Sequence, residues 1–434
     1  MLKVVLSALV TVITSFYFFP FEFAFLPGIN TKMAMAGLGL VVAGASIAGR
    51  RNAEVNMDFV VILLLAVGIS VASLLTIAWN GTNDKSFISY YISVLVWLSA
   101  AYVVCRVIGL VHGKVTVELV CGYLILVCSV QCIIALAMDY YSPLRLAVDS
   151  MLGGTEAYMG KAEGRMYGIG CALDVAGLKF SSVLVMIAWM CVHGSEQVQK
   201  YIVLYVLAFI IITIVGNMIS RTTTVGDVLA IGYWIICALR NGKGKDACQW
   251  NFLRVFGMAA VICTPVIAVL YNTNHAFYSD IRFAFEGFFS LFETGRWQTT
   301  SNDILFNHMI VFPDNVRTWV IGDGYAANPE YDKYYIGESY HGFYKGTDIG
   351  YLRYIFYFGL VGLGLFITYF CKVAGVCMKR FPAYRMVFLM VLAVNFIGWV
   401  KVSTDLFVVF ALFLCIPYED GNENSGPVEK EMEQ

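Results

Sequence analysis

The sequence predicts an all-α polytopic membrane protein, and three observations predict it. Of its 434 residues, 59% are hydrophobic and only 14% are charged, whereas soluble domains carry about 25% charged residues. Apolar runs of roughly 20 residues, the length that crosses a bilayer as a helix, recur along the chain. Lysine and arginine concentrate in alternate joints between these runs. There is no basic arm and the net charge is −1, which argues against nucleic acid as a partner.

The apolar runs predict about twelve transmembrane helices. The first run, MLKVVLSALVTVITSFYFF, has no convincing small-residue cleavage site and further spans follow it, so we expect a retained helix and not a signal peptide. The eleventh span is the least regular, because Lys401 and Asp405 interrupt the apolar stretch around it. The predicted spans are residues 3–19, 32–49, 58–79, 87–108, 115–138, 174–193, 200–219, 223–239, 255–271, 349–371, 386–400 and 403–417.

The basic joints predict the orientation of the chain. The segments GRRN, CRVIGLVHGK, RNGKGKDACQWNFLR and CKVAGVCMKRFPAYR each join two spans, and cytoplasmic joints carry the excess of lysine and arginine. Both termini then lie in the cytoplasm, which agrees with an even number of spans. We expect residues 1–417 to form a single integral-membrane domain. Residues 418–434 form an acidic, polar tail that we expect to be disordered in the cytoplasm.

Two of the outward loops are long. They cover residues 139–173 and 272–348, the second between spans 9 and 10, whereas the loops near 20–31 and 80–86 are short. The second long loop is rich in Tyr, Phe, Trp, Gly and Asn, which is not the composition of a flexible linker. We expect a folded cap that packs against the helix bundle and handles a ligand.

The outward side also carries cations that the positive-inside rule would keep away from it. A single arginine near a helix end commonly extends its head to water, which needs no functional explanation. Nine such cations on one side favour an anionic ligand. They are Arg145, Lys161, Arg165, Arg221, Arg282, Arg296, Arg317, Lys345 and Arg353.

The sharpest case is Arg221, in the short outward joint of VGNMISRTTTVGD. An arginine deep in a membrane helix costs about 2.5–3.5 kcal/mol on insertion scales, and an anionic partner would offset that cost. Its guanidinium offers a planar fork of donors that suits phosphate. The hydroxyls of Ser220 and Thr222 can donate to the same oxygens, and residues 222–224 open the next helix with free N–H groups. The joint therefore predicts a cradle for a lipid phosphate or pyrophosphate.

The alternative for Arg221 is a structural role. It would then pair with a buried acid such as Asp227 or Asp174, and no ligand would be needed.

Two further stretches carry cations beside glycine or tryptophan. GKAEGRMYGIG holds Lys161 and Arg165 in a glycine-rich loop, where backbone can approach a ligand closely or can simply turn. FETGRWQTTSND places Arg296 beside Trp297. Because arginine binds phosphate and sugars stack on aromatic faces, this pair suits a glycosyl phosphate. The alternative is a loop that its tryptophan anchors at the membrane interface.

The stretch HGFYKGTDIGYLRYIFYFGLVGLGL leads from the large loop into the tenth span. Asp348 lies where that helix begins, so it is either an N-cap or a general base that takes a proton from a sugar hydroxyl. His341 is the other candidate base. The remaining substrate-binding candidates are Tyr325 in IGDGY, and Tyr351 and Arg353 in TDIGYLRY.

In order and topology these residues resemble the O-antigen polymerase and O-antigen ligase superfamily, the Wzy and WaaL types. Arg165 in GRMYGIG, Arg221 in the SR joint, Arg296 after a glycine in the large loop, and the segment TDIGYLRYIFYFGLVGL carry the resemblance, over residues 140–365. The resemblance implies a helical glycosyltransferase in the bacterial inner membrane. Its donor would be an undecaprenyl-pyrophosphate-linked oligosaccharide, cleaved on the periplasmic side.

The resemblance also implies roles for individual residues. Arg221 and Arg296 would hold the pyrophosphate, and Arg165 would contact donor or acceptor. In the ligase branch a histidine opens the late span, and its place falls on Asp348, so the polymerase branch fits better and Asp348 inherits the role of base. No metal or cofactor is implied, because the first outward loop has only Glu22 as an acid and the arginines would do the work of a metal.

The leading interpretation is therefore an O-antigen or surface-polysaccharide polymerase, with a chain-length regulator protein as a candidate partner. An O-antigen ligase, which moves the glycan to a lipid A core sugar, is the closest alternative. A polysaccharide or lipid transporter or flippase is a third, and it would need charges along a central path. Its best support is Lys401 and Asp405, four residues apart, which would pair on one helix face.

Overall fold

The computed structural model describes residues 2–48, 56–153, 165–240, 247–329 and 342–417, and nearly all of its regular structure is helical. The predicted site residues Lys161 and His341 and the acidic tail 418–434 lie outside the described residues.

The first five helices are apolar, and the last three of them are long. Their starts follow from local sequence: the Asn56 side chain accepts a hydrogen bond from Asp58 N ahead of the third helix, and the Thr116 side chain accepts one from Leu119 N ahead of the fifth. These helices are α1 Leu2–Phe18, α2 Thr31–Ala48, α3 Met57–Asn80, α4 Tyr90–His112 and α5 Val117–Tyr140.

A two-stranded ribbon joins the loop after the first helix to the loop of residues 139–173. Strand β1, Glu22–Phe23, pairs antiparallel with β2, Leu152–Gly153, directly after helix α6, Ser142–Met151. The Tyr167 hydroxyl donates to Asp149 and accepts from Arg145 Nε. The described part of the 139–173 loop is therefore ordered by its own contacts.

The middle of the chain is built around α7, Leu173–His193. Almost every side chain from Ala176 to Val192 is buried, because α5, α9, α10 and α17 pack around it. The helices that follow it are α8 Glu196–Lys200, α9 Ile202–Ile219, a 3₁₀ turn at Arg221–Thr223, α10 Thr224–Arg240 and α11 Ala247–Thr273.

Residues 275–321 form a chain of short helices instead of a span. Side chains at their starts explain several of them: Asn274 accepts from Phe277 N, Thr299 from Asn302 N, and Asn315 from Thr318 N. The elements are α12 His275–Ala284, α13 Glu286–Thr294, α14 Thr300–Ile304, a π-helical turn at Leu305–Met309 and α15 Val316–Ile321. We refer to residues 275–321 as the cap.

The last part contains a long kinked helix and an interrupted pair. The 3₁₀ turn Tyr344–Gly346 leads into α16, Gly350–Arg380, which packs on α15 and α3 and bends at Gly359. The φ of Gly359 is +68°, a value that favours glycine, and a Cβ at this position would lie 2.1 Å from the Val320 carbonyl oxygen. After the 3₁₀ turn Pro382–Tyr384 come α17, Arg385–Gly398, and α18, Phe407–Leu414.

The segment between α17 and α18 corrects a prediction. Residues 399–406 are not helical, so Lys401 and Asp405 do not share a helix face. Lys401 Nζ instead lies 3.0 Å from Asp174 Oδ1, while Asp405 accepts hydrogen bonds from the Tyr90 hydroxyl and from Phe407 N. The predicted span 403–417 is reduced to the eight residues of α18.

Eight helices of the described residues are long and apolar enough to cross a membrane, judged by length and composition. They are α3, α4, α5, α7, α9, α10 with its preceding turn, α11 and α16, and α1, α2 and α17 are shorter apolar helices. The architecture is consistent with the predicted all-α multi-pass membrane protein. The total of twelve spans stays a prediction.

Candidate functional site

The joint between α9 and α10 is fixed by close packing on α7. A Cβ at Gly177 would lie 2.7 Å from Ser220 Oγ and 3.0 Å from Thr222 Cβ, so only glycine admits the joint at this depth. The Ser181 hydroxyl lies 3.0 Å from the Thr222 carbonyl oxygen and accepts from Gly226 N at 3.1 Å. The Arg221 backbone is therefore held by buried contacts on the turn that follows it.

The two hydroxyls beside Arg221 donate to an acid on α7. Ser220 Oγ lies 2.9 Å and Thr222 Oγ1 lies 2.5 Å from Asp174 Oδ1, and Lys401 Nζ completes the cluster at 3.0 Å. The sequence predicts that these hydroxyls donate to a ligand, whereas in the structure they donate to Asp174. Their role as ligand contacts stays a prediction, and Thr222 also lines the cavity described below.

The Arg221 side chain points into the cap. Its guanidinium carbon lies 4.4 Å from the centre of the Phe283 ring, and its Nη1 pairs with Glu286 Oε2. The structural alternative, in which Arg221 pairs with an acid, has Glu286 as that acid and not the named candidates Asp227 and Asp174. Asp227 accepts from Thr213 and Asn217, and Asp174 is engaged as described.

A second guanidinium shares the same aromatic ring. The Arg165 guanidinium carbon lies 5.4 Å from the centre of the Phe283 ring. Arg165 follows the first long loop's undescribed part and Phe283 belongs to α12. The fold thus brings together Arg165 and Arg221, two of the arginines on which the family resemblance rested.

Glu286 is a residue that the sequence reasoning missed. Its Oε1 accepts from Thr300 N at 3.2 Å and from Thr300 Oγ1 at 2.9 Å, while Oε2 pairs with Arg221. Partial burial raises the pKa of Glu286, but the Thr300 hydrogen bonds and the Arg221 charge outweigh burial and hold it below its ordinary value. Glu286 is therefore an anion that locks Arg221 to the cap.

Beside Arg221 lies a cavity of about 290 Å³, which we call the cationic cavity. Arg221 and Lys401 supply its charges, and Thr222, Thr299 and Asn302 supply polar groups. The rest of its wall is largely apolar or aromatic and includes Phe288, Trp297, Leu305, Phe306, Ile397 and Val400. Such a cavity suits a ligand with an anionic head and an apolar body.

The pair Arg296–Trp297 divides between the cavity and the surface. The Trp297 ring packs over Gly287 and lies 4.9 Å from the Phe288 ring, and it lines the cationic cavity. The Arg296 side chain is exposed and is not among the residues that line this cavity. Its carbonyl oxygen accepts from Ser290 Oγ at 2.8 Å, which fixes the turn after α13.

The other predicted residues form a second group at the start of α16. Asp348 Oδ1 lies 3.6 Å from Arg353 Nη1, and the Arg353 guanidinium lies 4.2 Å from the Phe343 ring centre. The Tyr325 ring stacks on Tyr344 at 5.2 Å. The N-cap position of α16 is Ile349, so the structural alternative of Asp348 as that N-cap is wrong.

Tyr351 connects this second group to the cationic cavity. Its hydroxyl donates to the Phe396 carbonyl at 2.8 Å, and its N–H donates to the Trp399 carbonyl at 3.2 Å. The backbone it holds continues directly into Val400 and Lys401, which line the cavity. Asp348 itself is not a lining residue of that cavity.

Comparisons with known proteins found no similar protein. The chain matches no protein-family model, no curated protein and no solved structure.

Proposed function

We propose that the chain is a surface-polysaccharide polymerase of the O-antigen type. It would transfer a glycan from undecaprenyl pyrophosphate to a second lipid-linked repeat unit at the outer face of the bacterial inner membrane. The observation that supports this most is the cationic cavity, where Arg221 and Lys401 meet a largely apolar, aromatic wall.

The ligand that fits this cavity combines two chemistries. A phosphate or pyrophosphate would accept from Arg221 and Lys401 in competition with Glu286 and Asp174, which these cations bind here, and guanidinium binds phosphate oxygens in a bidentate way. A polyprenyl chain buries apolar surface against side chains such as Phe288, Phe306 and Val400. A lipid-linked pyrophosphate supplies both parts in one molecule.

The proposed reaction assigns a step to each group. The bond between the donor sugar's anomeric carbon and the pyrophosphate oxygen breaks, and a bond from the acceptor hydroxyl oxygen to that carbon forms. Arg221 and Lys401 stabilise the negative charge that develops on the leaving pyrophosphate. Asp348 accepts the proton of the acceptor hydroxyl, with Arg353 beside it.

The contacts of Lys401 favour the polymerase proposal over the transporter interpretation. The transporter interpretation rested on an intramembrane pair of Lys401 with Asp405, and that pair is not formed. Lys401 lies instead with Asp174 beside the Arg221 joint. The ligase differs from the polymerase only in its acceptor, and the geometry of the cavity favours neither.

The experiment is a surface-glycan ladder on a gel, from cells that lack the gene and carry wild type, Arg221→Ala, Arg221→Lys or Asp348→Asn. We expect wild type to restore the ladder. We expect Arg221→Ala to leave single repeat units while the protein remains in the membrane. Loss of all surface glycan in the deletion would favour the ligase. An unchanged ladder in the deletion would reject both enzymes and favour transport.

A further inference from the structure

The cap contains a second cavity, also of about 290 Å³, between α12, α13 and residues 298–303. Thr299 lines both cavities. Glu286 lines the second cavity and pairs with Arg221, which lines the first. The two cavities are therefore neighbours that share a wall.

Most side chains of the second cavity present hydrogen-bond acceptors, and its donors Gln298 and Arg282 already bind Asp303 and Glu293. Ser290 Oγ donates its hydrogen to the Arg296 carbonyl at 2.8 Å, and Thr294 Oγ1 donates to the Ser290 carbonyl at 2.7 Å, so both oxygens keep free lone pairs. The carboxylates of Glu286, Glu293 and Asp303 accept only. A matching ligand has to be rich in donors.

The charges of the second cavity exclude a second phosphate site. Among the described residues that line it, Arg282 is the only cation, and both terminal nitrogens of Arg282 already bind Glu293. Glu293 is paired with Arg282 and Glu286 with Arg221, so Asp303 carries the negative charge that no described cation balances, and this charge disfavours an anion. Among the described residues no group of three or more carboxylate, histidine or cysteine side chains is placed to hold a metal ion. The lining of the second cavity therefore fits a ligand that is uncharged or carries an ammonium group and that has many hydroxyl groups.

We propose that this cavity binds the sugar that is attached to the pyrophosphate, a neutral hexose or an amino sugar whose hydroxyls donate to Asp303, Glu293 and Ser290. The inference rests on the proposed function, since it takes the cationic cavity as the pyrophosphate site. In a lipid-linked glycan the first sugar follows the pyrophosphate directly, so its binding site must adjoin the pyrophosphate site. The shared wall at Thr299 meets that requirement.

The test compares two lipids on the full-length protein in nanodiscs. One probe is undecaprenyl pyrophosphate without sugar, and the other is the undecaprenyl-pyrophosphate-linked repeat unit from cells that lack the gene. The variants are Asp303→Asn, which keeps an oxygen to accept from Gln298, and Glu293→Gln, which keeps the shape of the side chain but removes its charge. Asp314→Asn, an exposed acid of the cap outside both cavities, is the matched control.

We expect both variants to weaken binding of the lipid-linked repeat about fivefold or more, with binding of the sugar-free lipid unchanged and Asp314→Asn equal to wild type. Equal binding of the repeat by wild type and both variants would overturn the sugar site. So would an equal loss for both lipids, because the cavity would then serve the pyrophosphate. If wild type bound neither lipid, the proposed function itself would fail.

Discussion

Arg221 is held by three kinds of contact, which makes its side chain a pre-positioned cation. The Phe283 ring lies under the guanidinium, Glu286 binds it from the cap, and Ser181 fixes the backbone of the turn. A donor that is already oriented needs no reorganisation when charge develops on a leaving group. This residue is where the largest effect on activity is expected.

Arg221→Ala should lower the rate of glycan transfer by about 100-fold or more, the usual cost of removing one pre-positioned donor from developing charge. Arg221→Lys should retain part of the activity, because it keeps the charge but loses the planar fork. The measurement is the transfer rate with purified protein in nanodiscs and lipid-linked repeats.

Arg317→Ala is the control for that series. Arg317 is a cation of the cap that is 58% exposed, pairs with Asp323 at 3.6 Å and does not line the cationic cavity. Its removal should leave the rate within about twofold of wild type, as is usual for an exposed ion pair. Equal losses in Arg317→Ala and Arg221→Ala would show that general outward charge matters and not the site.

Lys401 should couple energetically to Asp174. Removing the lysine leaves Asp174, 19% exposed, with hydroxyl partners but no cation, so Lys401→Met should cost about 1–2 kcal/mol of stability. In the double variant with Asp174→Asn the two losses should not add. The measurement is a double-mutant cycle by reversible unfolding in detergent, and simple additivity would contradict the pairing.

Asp280 should make stability depend on pH. Burial, and secondarily the charge of Asp139, raise the pKa of Asp280 from 3.8 to about 6. The folded state therefore holds this proton more tightly than the unfolded state, and the stability it gives is full below about pH 4 and is lost as pH rises through about 6. Asp280 Oδ2 is also buried without a hydrogen-bond partner.

Asp280→Asn should accordingly raise the melting temperature at about pH 7.5 and change it little at about pH 4. Thermal unfolding in detergent at both pH values measures this. Asp314→Asn, exposed on the cap, should show no such difference. A gain of the same size at both pH values would indicate that packing, and not ionisation, causes the effect.

The sequence predicted the importance of Arg221 but not its partner. A basic residue among hydroxyls in an outward joint is visible in the letters, whereas Glu286 lies 65 positions further along the chain. The spacing of Lys401 and Asp405 predicts a pair only if a regular helix continues through residues 399–406, which it does not. Partners of this kind depend on how separate helices pack, which no local pattern records.

At the scale of elements, the contact between α7 and the α9–α10 joint is the one that positions the site. It depends on the absence of a side chain at Gly177. A methyl group there would have to displace Ser220 and Thr222, and overpacking of a well-packed contact costs about 1–3 kcal/mol.

Gly177→Ala should therefore lower both the melting temperature and the transfer rate. Gly232→Ala is the matched control, since Gly232 lies in α10 with no atom within 4 Å of its added Cβ. There alanine should be neutral or stabilising by up to about 1 kcal/mol, because it improves helix propensity. If the two variants behave alike, the tight contact at Gly177 does not position the joint.

Helix positions were predictable because a membrane-spanning helix requires a long run of apolar residues, which is visible in the sequence. The predicted spans 58–79, 174–193, 200–219 and 223–239 agree with α3, α7, α9 and α10 to within a few residues. The interruption after Gly398 was not predictable in the same way. Irregular backbone in an apolar stretch is tolerated where protein surrounds it, and here Tyr351 and Asn395 bond to it.

At the scale of the whole molecule, the two cavities lie on the cap side of the Arg221 joint, and their walls come from separate parts of the chain. Residues of the joint, of α12 to α14 and of the α17 end line the cationic cavity together. Large apolar side chains of the cap remain exposed nearby, with Phe292 at 87% and Phe306 at 66%. In a membrane protein such side chains suit contact with lipid tails.

The ring of Phe283 has a consequence for biogenesis. It contacts Arg165 and Arg221, and the nearby Glu286 pairs with Arg221. The two arginines and the cap belong to three segments that the ribosome produces at different times. While the chain is being inserted, Arg221 has neither its ring nor its carboxylate until the segment beyond residue 286 has been synthesised. Arg221 therefore lacks both of these partners while the helices before the cap are being inserted. The site can form only after the cap has been synthesised.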